Sequence, residues 1–187
     1  MQRSHKFGLH LRIPGWCQDF QISINGQKQP GVEDFAGYVA FERAWQDGDV
    51  IGLDLAMPVQ RVVTHPFASG LRDRVAIKRG PVIYCLEGID NHSEKDPTLP
   101  PDPQFQWAYR PDVLGGIVSI TAKDVERADL KAVPYFAWDN RYSPDHDKDW
   151  MTVWMKQADW FKLRLSLDGN DRKAWEHILY QPLLEKE

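Results

Sequence analysis

The chain has 187 residues, of which 42% are hydrophobic and 27% are charged, as in an ordinary soluble globular protein that can bury a core. Its net charge of -4 argues against a surface for nucleic acid or anionic membranes, and it contains no apolar run of about 18 residues that would predict a membrane-spanning helix. The first residues, MQRSHKFGLHLRIPGW, hold no apolar signal core. Two distant cysteines, Cys17 and Cys85, make neither a disulfide framework nor a zinc-ligand pattern, which favours a cytoplasmic location.

Apolar and polar residues alternate with a period of two along most of the first 90 residues, and this pattern predicts β-strands. Asn25-Gly26 predicts a tight hairpin, because both residues tolerate positive φ. The spacing of the strands and turns is typical of an all-β, antiparallel β-sandwich, jelly-roll-like, with its main body over residues 1–90. The predicted strands are residues 7–13, 20–24, 38–45, 51–57, 62–63, 75–77 and 82–86.

The composition of the sequence changes after Asp90. Residues 91–106, NHSEKDPTLPPDPQFQ, contain four prolines and predict a long exposed loop. Strand-like pieces return at residues 116–121, 133–138 and 152–155, so residues 91–157 either complete the sandwich or form a second small β unit. The tail, residues 158–187, predicts one strand at 161–167 and then a short helix that follows Gly169-Asn170-Asp171 and ends at Pro182.

The stretch RGPVIYCLEGID, residues 79–90, brings Cys85, Glu87 and Asp90 close together in sequence. On a strand Cys85 and Glu87 share one face, which could place a thiol beside an acid. However, VIYCLE is a nearly continuous apolar run, and free cysteine is among the most buried residue types. A buried core strand is therefore the favoured interpretation.

Two acidic stretches could hold a cation. The first has aspartates at alternate positions, as calcium loops do, but it lacks the glycine and the distal glutamate of a standard loop. Solvated loops are therefore the better interpretation of both. The candidate ligands are Asp145, His146, Asp147 and Asp149 in the first stretch, and Asp90, His92 and Asp96 in the second.

Eight tryptophans could fill a sandwich core or stack on sugar rings. Those in or beside predicted strands are expected to be core residues, namely Trp16, Trp45, Trp138 and Trp154. Trp107 and Trp150 lie in predicted loops and are expected to be exposed.

Five phrases occur in a fixed order: LRIPGWC, ISING, GYVAFERAWQDGDVIGLDLAMPV, RVAIKRGPVIYCLEGID, and VPYFAWDNR followed by MTVWM. Together, over about residues 9–155, they resemble the carboxy-terminal portion of the beta-L-arabinofuranosidase family of bacterial glycoside hydrolases, family 127. Members of that family tend to finish soon after the VW phrase, so residues 156–187 depart from its pattern.

The resemblance implies β-sandwich domains that follow a helical (α/α)6 barrel. The active site of such enzymes lies in the barrel, where cysteines and a glutamate hold zinc and one cysteine is the nucleophile. None of those catalytic or metal residues carries over to this sequence, which has no adjacent cysteine pair, and Cys85 and Cys17 match the family's strand and turn phrases.

The resemblance therefore predicts a non-catalytic β-sandwich portion that packs on and stabilises an N-terminal barrel. It predicts no cofactor in this chain, zinc only in the barrel, and a homodimer as a further possible partner. A stand-alone carbohydrate-binding module is the alternative, and an enzyme that uses Cys85 with Glu87 is the third hypothesis.

Overall fold

A computed structural model of the chain describes residues 4–31, 36–65, 67–91, 96–141, 149–159 and 180–182. These residues contain fifteen strands and two short 3₁₀ turns, and nearly all strand pairs are antiparallel. The all-β, antiparallel class is therefore confirmed. In the described ranges, no helix has the length and apolar character needed to cross a membrane.

The chain divides into two compact units, residues 1–58 and 59–187. The strands between Val59 and Glu87 belong to the second unit because they hydrogen-bond with strands that come later in the chain, which alternation along the sequence cannot reveal. The division of the sequence into residues 1–90 and 91–157 stays a prediction.

The first unit contains two antiparallel sheets. In one, β1 (Ser4–Arg12) pairs with β4 (Tyr38–Gln46) along their whole length; the other has the order β3 (Gln27–Gln29), β2 (Phe20–Ile24), β5 (Ile51–Leu55). Asn25 and Gly26 join β2 to β3 with φ values of 51° and 79°, as the hairpin signal predicted. Side chains from both sheets share one core, as in a small sandwich: Leu11, Ile13, Cys17, Phe20, Ile22, Val39, Phe41, Ile51 and Leu55.

The second unit is built on one ten-stranded sheet. Its main path runs β10 (Gln106–Arg110), β11 (Ile117–Lys123), β12 (Asp129–Pro134), β8 (Val82–Glu87), β7 (Arg74–Arg79), β14 (Met155–Gln157) and β9 (Thr98–Leu99). Off this path, β6 (Val59–Thr64) pairs with β7, β13 (Met151–Thr152) with β8, and β15 (Tyr180–Pro182) with β6.

The sheet of the second unit curls into a half-barrel. Arg79 on β7 and Trp107 on β10 are four strand spacings apart, which is about 19 Å in a flat sheet. Yet the Arg79 guanidinium carbon lies 4.4 Å from the centre of the Trp107 ring. The face toward which the sheet curls carries the main core: Val63, Val75, Ile77, Tyr84, Leu86, Leu99, Ile120, Ala122, Leu130, Ala132 and Met155.

Two local predictions are corrected by the structure, and a third is tested only at its end. The segment expected to be an exposed loop contains the short strand β9, whose Leu99 is fully buried. The strand expected to run to Trp138 stops at Pro134, where a 3₁₀ turn, Tyr135–Ala137, begins. The predicted strand at 161–167 and most of the predicted helix lie outside the described residues, but Tyr180–Pro182 is a strand.

Candidate functional site

Three large aromatic side chains project from the 3₁₀ turn that follows β12. Tyr135, Phe136 and Trp138 are 46%, 70% and 43% exposed. The Tyr135 and Trp138 rings are stacked, with centres 5.9 Å apart and planes 20° from parallel. We call these three residues the aromatic platform.

The turn is fixed to the sheet by Ala137, the small residue between Phe136 and Trp138 in the sequence. Ala137 is only 2% exposed and packs in a second core cluster, with Cys85, Ile117 and Val133. The Trp138 backbone N–H donates to the Tyr135 carbonyl at 3.1 Å, which closes the turn. Because the turn buries its alanine, its three aromatic rings are left facing outward.

The backbone just after the platform is held by a buried carboxylate. Asp139 adopts φ 58°, a left-handed conformation that is unfavourable for a residue with a side chain. Its N–H donates to Glu87 Oε1 at 3.0 Å, and the other oxygen of Glu87 accepts a hydrogen bond from Arg141. Glu87 is 6% exposed, so this carboxylate holds the turn from inside the protein.

Glu87 belongs to a four-residue charge cluster with Asp90, Lys131 and Arg141. Arg141 Nη2 lies 2.5 Å from Asp90 Oδ2, and Lys131 Nζ donates to Asp90 Oδ1 at 2.8 Å. Burial alone would raise the pKa of Asp90, but the close contacts with Arg141 and Lys131 outweigh it and hold this pKa below its usual value. Two acids face two bases, so the cluster is electrically balanced.

Asn91 connects the two strands that carry the cluster. Its side-chain amide donates to the carbonyl oxygens of Glu87 and Lys131 at 2.8 and 3.0 Å, and its Oδ1 accepts from the Lys131 N–H at 2.8 Å. Asn91 is 1% exposed. The end of β8 and the middle of β12 are therefore fixed relative to each other directly beneath the charge cluster.

Comparison with known proteins decides the family. A model described as "Beta-L-arabinofuranosidase, GH127 middle domain" matches residues 1–57, and one described as "Glycoside hydrolase family 127 C-terminal domain" matches residues 59–156. These two matches correspond closely to the two compact units. The chain belongs to glycoside hydrolase family 127. The resemblance seen in the sequence is thereby confirmed.

Relatives in family 127 are much longer than this chain. A "Non-reducing end beta-L-arabinofuranosidase" from Bifidobacterium longum subsp. longum is 30% identical over 167 residues, covering 74% of this chain and 24% of the relative. The crystal structure of a GH127 beta-L-arabinofuranosidase from Geobacillus stearothermophilus T6 is 34% identical with a TM-score of 0.73, covering 82% of this chain and 27% of that one. A GH127 beta-arabinofuranosidase structure gives 29% identity, a TM-score of 0.72 and coverages of 83% and 28%. The chain therefore spans about a quarter of these relatives.

The Cys85–Glu87 pair of this family 127 chain lies inside the protein. The two side chains share a face of β8, as predicted, and Cys85 is fully buried. Burial, and then the negative charge of Glu87, raise the pKa of the Cys85 thiol to about 12. A thiol with this pKa is protonated at neutral pH, and both carboxylate oxygens of Glu87 are already engaged. The buried-strand interpretation is confirmed.

The acidic candidates are placed as follows. His92, Asp145, His146 and Asp147 lie outside the described residues. Asp90 is in the charge cluster, and Asp96 pairs with Arg74 and Lys156 at 2.5 and 3.0 Å. Across the part of the chain that the structure describes, no group of three or more His, Cys, Asp or Glu side chains is arranged to hold a metal ion.

The tryptophan predictions are partly correct. Trp45 is buried and Trp107 is 56% exposed, as expected, although Trp107 lies on β10 and not in a loop. Trp138, expected in the core, is exposed because the chain leaves the sheet at Pro134. Trp150, expected to be exposed, is partly buried against the main core. The run YFAW was the available signal for the platform, but nothing in the sequence links Glu87 to Arg141.

Proposed function

We propose that this chain is the non-catalytic β portion of a bacterial glycoside hydrolase of the beta-L-arabinofuranosidase type. It packs on and stabilises a catalytic helical barrel that forms the remainder of the enzyme. The aromatic platform carries this proposal, because it is an exposed apolar surface on a chain that spans only a quarter of its relatives.

The size of the platform supports a protein contact. The exposed fractions of Tyr135, Phe136 and Trp138 correspond to about 300 Å² of aromatic surface, if a fully exposed ring contributes about 200 Å². Covering that area is worth about 8 kcal/mol at about 25 cal/mol/Å². The largest apolar patch of a typical monomer covers about 300–600 Å² and is often a functional surface, so the platform falls within the range of such surfaces.

The construction of the platform supports the same conclusion. A left-handed Asp139 and a buried charge cluster are both costly features, and both serve to hold the turn in one conformation. A rigid apolar surface loses little conformational entropy when it is covered. Phe136, the most exposed of the three, has no polar atom, so an apolar protein surface suits it better than the hydroxyl groups of a sugar.

In this proposal the chemistry resides in the barrel. The nucleophile and its zinc ion would be supplied there, since Cys85 is protonated and enclosed. The role of this chain is then to cover and position barrel elements. A second copy covering the platform in a homodimer is the competing arrangement for the same surface.

The experiment begins with the DNA directly upstream of the Met1 codon. We expect an open reading frame that encodes a helical barrel with a cysteine pair and a nearby glutamate. That product is co-expressed with this chain, and the two are tested for co-purification and for hydrolysis of p-nitrophenyl β-L-arabinofuranoside.

Two serine substitutions then test the platform itself. Phe136→Ser should weaken association by up to about 300-fold, because the 70% exposed ring offers about 140 Å², or about 3.5 kcal/mol of aromatic burial. Phe67→Ser, at a 91% exposed phenylalanine elsewhere in the second unit, is the matched control and should have no effect. A stop codon with no barrel gene upstream, or equal behaviour of the two variants, would overturn the proposal.

A stand-alone carbohydrate-binding module is a second candidate function. It is favoured by a separate observation: Trp107 and Tyr109 are 56% and 60% exposed on the edge strand β10. Aromatic rings on an open strand provide flat apolar faces on which a sugar ring can pack.

A further inference from the structure

Arg79 differs from the other buried or half-buried arginines in the described part of the chain. Arg61, Arg74, Arg110 and Arg141 each donate hydrogen bonds to oxygen atoms of the protein. The half-buried Arg79 has no such hydrogen bond and no ion pair, and its Nε is buried without a hydrogen-bond partner. An unpaired cation in this setting is unfavourable, and an anion would compensate it.

Arg79 packs on an aromatic ring. Its guanidinium carbon lies 4.4 Å from the centre of the Trp107 ring, where the curled sheet brings β7 and β10 together. This cation–π contact orients the guanidinium but leaves its in-plane N–H donors unused. Because Nε is buried, the donors for a ligand are the two terminal nitrogens, Nη1 and Nη2, which have the fork geometry that binds a carboxylate through two hydrogen bonds.

A second exposed ring lies next to Trp107 on the same strand. Trp107 and Tyr109 are separated by one residue on β10, so they share one face of the strand and are about 7 Å apart. The Tyr109 hydroxyl lies against Gly116: a Cβ at that glycine would be 2.1 Å from the oxygen, and Gly116 has φ 123°. Glycine at this position thus allows Tyr109 to keep its place.

We propose that Arg79, Trp107 and Tyr109 form a binding site for an acidic saccharide, one that carries a uronate carboxylate. The carboxylate would accept hydrogen bonds from Arg79. The sugar rings would pack on the free faces of Trp107 and Tyr109, whose negative π faces attract the weakly positive C–H groups of a sugar. This site lies on different residues from the platform and does not depend on the barrel.

The charge of Arg79 favours an acidic saccharide over a neutral one. Arg110, next to Tyr109 in sequence, is already neutralised by Asp112 at 3.1 and 2.8 Å, so Arg79 is the open donor at this site. The family context favours a saccharide over an acidic peptide, since the named relatives are glycoside hydrolases.

The test is a titration of the full chain with tri-galacturonate, followed by tryptophan fluorescence and by calorimetry. Neutral arabinotriose, sodium acetate and a hexa-glutamate peptide serve as comparison ligands. We expect tri-galacturonate to bind more tightly than all three. Arg79→Gln should weaken that binding about 10- to 100-fold, as loss of charge-assisted hydrogen bonds does. Arg72→Gln, an exposed arginine in the same unit, is the control and should bind as the unsubstituted chain does.

Trp107→Ala should abolish binding, and Trp107→Phe, which retains an aromatic ring, should restore part of it if the chain remains folded by circular dichroism. The absence of tri-galacturonate binding overturns the proposal. Equal binding of arabinotriose refutes carboxylate recognition, and tighter binding of hexa-glutamate replaces the saccharide by a peptide. The outcome of this titration does not depend on whether the platform associates with the barrel. The saccharide site and the barrel contact can therefore be refuted independently of each other.

Discussion

Removing Arg141 should strongly destabilise the second unit, because its partners are buried. Arg141→Ala leaves Glu87 and Asp90 with a single compensating cation, Lys131, which contacts only Asp90. Glu87, at 6% exposure, then holds an uncompensated charge. Breaking a buried ion pair in this way typically reduces the free energy of unfolding by about 3 kcal/mol, which lowers Tm by about 10 °C in a chain of this size.

The assay is urea unfolding at pH 7, followed by tryptophan fluorescence, together with a thermal scan. Arg110→Ala is the matched control, since it also removes an arginine with a two-hydrogen-bond aspartate partner, but in a more solvent-accessible pair whose side chains are 37% and 60% exposed. Exposed pairs contribute little to stability, so this control should leave Tm nearly unchanged. If Arg141→Ala is no more destabilising than Arg110→Ala, the charge cluster does not hold the platform.

The pH dependence of stability gives an independent test of the same charge cluster. The pKa of Asp90 is lower in the folded state than its unfolded value of about 3.9. Its stabilising contribution is therefore complete above about pH 5, decreases below that pH, and is lost as the pH falls through the lower, folded value. In Arg141→Ala that contribution shrinks, so the variant and the unsubstituted chain should converge in stability as the pH falls below 4.

Three further predictions concern single positions. Ellman's reagent should label Cys85 only when the chain unfolds, because the pKa of about 12 keeps this buried thiol protonated. Labelling of Cys85 in the folded protein at pH 8, located by mass spectrometry, would contradict this. Gly116→Ala should lower Tm, because alanine is strained at the positive φ of this position, and should weaken saccharide binding, because the added Cβ displaces the Tyr109 hydroxyl. A calorimetric scan measures the first effect and a calorimetric titration the second. Hydrogen bonds from Arg74 and then from Lys156 lower the pKa of Asp96 to about 2. Asp96→Asn should therefore destabilise the chain at pH 6 but not near pH 2. An equal decrease in the free energy of unfolding by urea at both pH values would refute this.

The strands of the first 90 residues could be predicted because they are half-buried, and alternation records that directly. The region around Leu99 could not, because four nearby prolines suggested a loop while a two-residue strand buries the leucine. Proline does not prevent burial when neighbouring strands supply the hydrogen bonds: Lys156 donates its N–H to Pro97 and Ala158 donates to Leu99.

The candidate site was even harder to predict from the sequence than the region around Leu99. Glu87 and Arg141 are 54 positions apart in sequence, and only the pairing of β8 with β12 and β13 brings the charge cluster together. Trp138 was assigned to the core because a strand was expected to continue through it. Local composition identifies aromatic residues, but the point at which the chain leaves the sheet determines which of them face solvent.

The charges near the two exposed aromatic surfaces point to different partners. Beneath the platform each charge has a partner, so covering the platform with an apolar protein surface leaves no ion without compensation. Covering Arg79 with the same kind of surface would enclose an unpaired guanidinium, which is strongly unfavourable. An anionic ligand removes that penalty and uses the unoccupied donors. A barrel is therefore the better partner for the platform, and an acidic saccharide is the better partner for the site at Arg79.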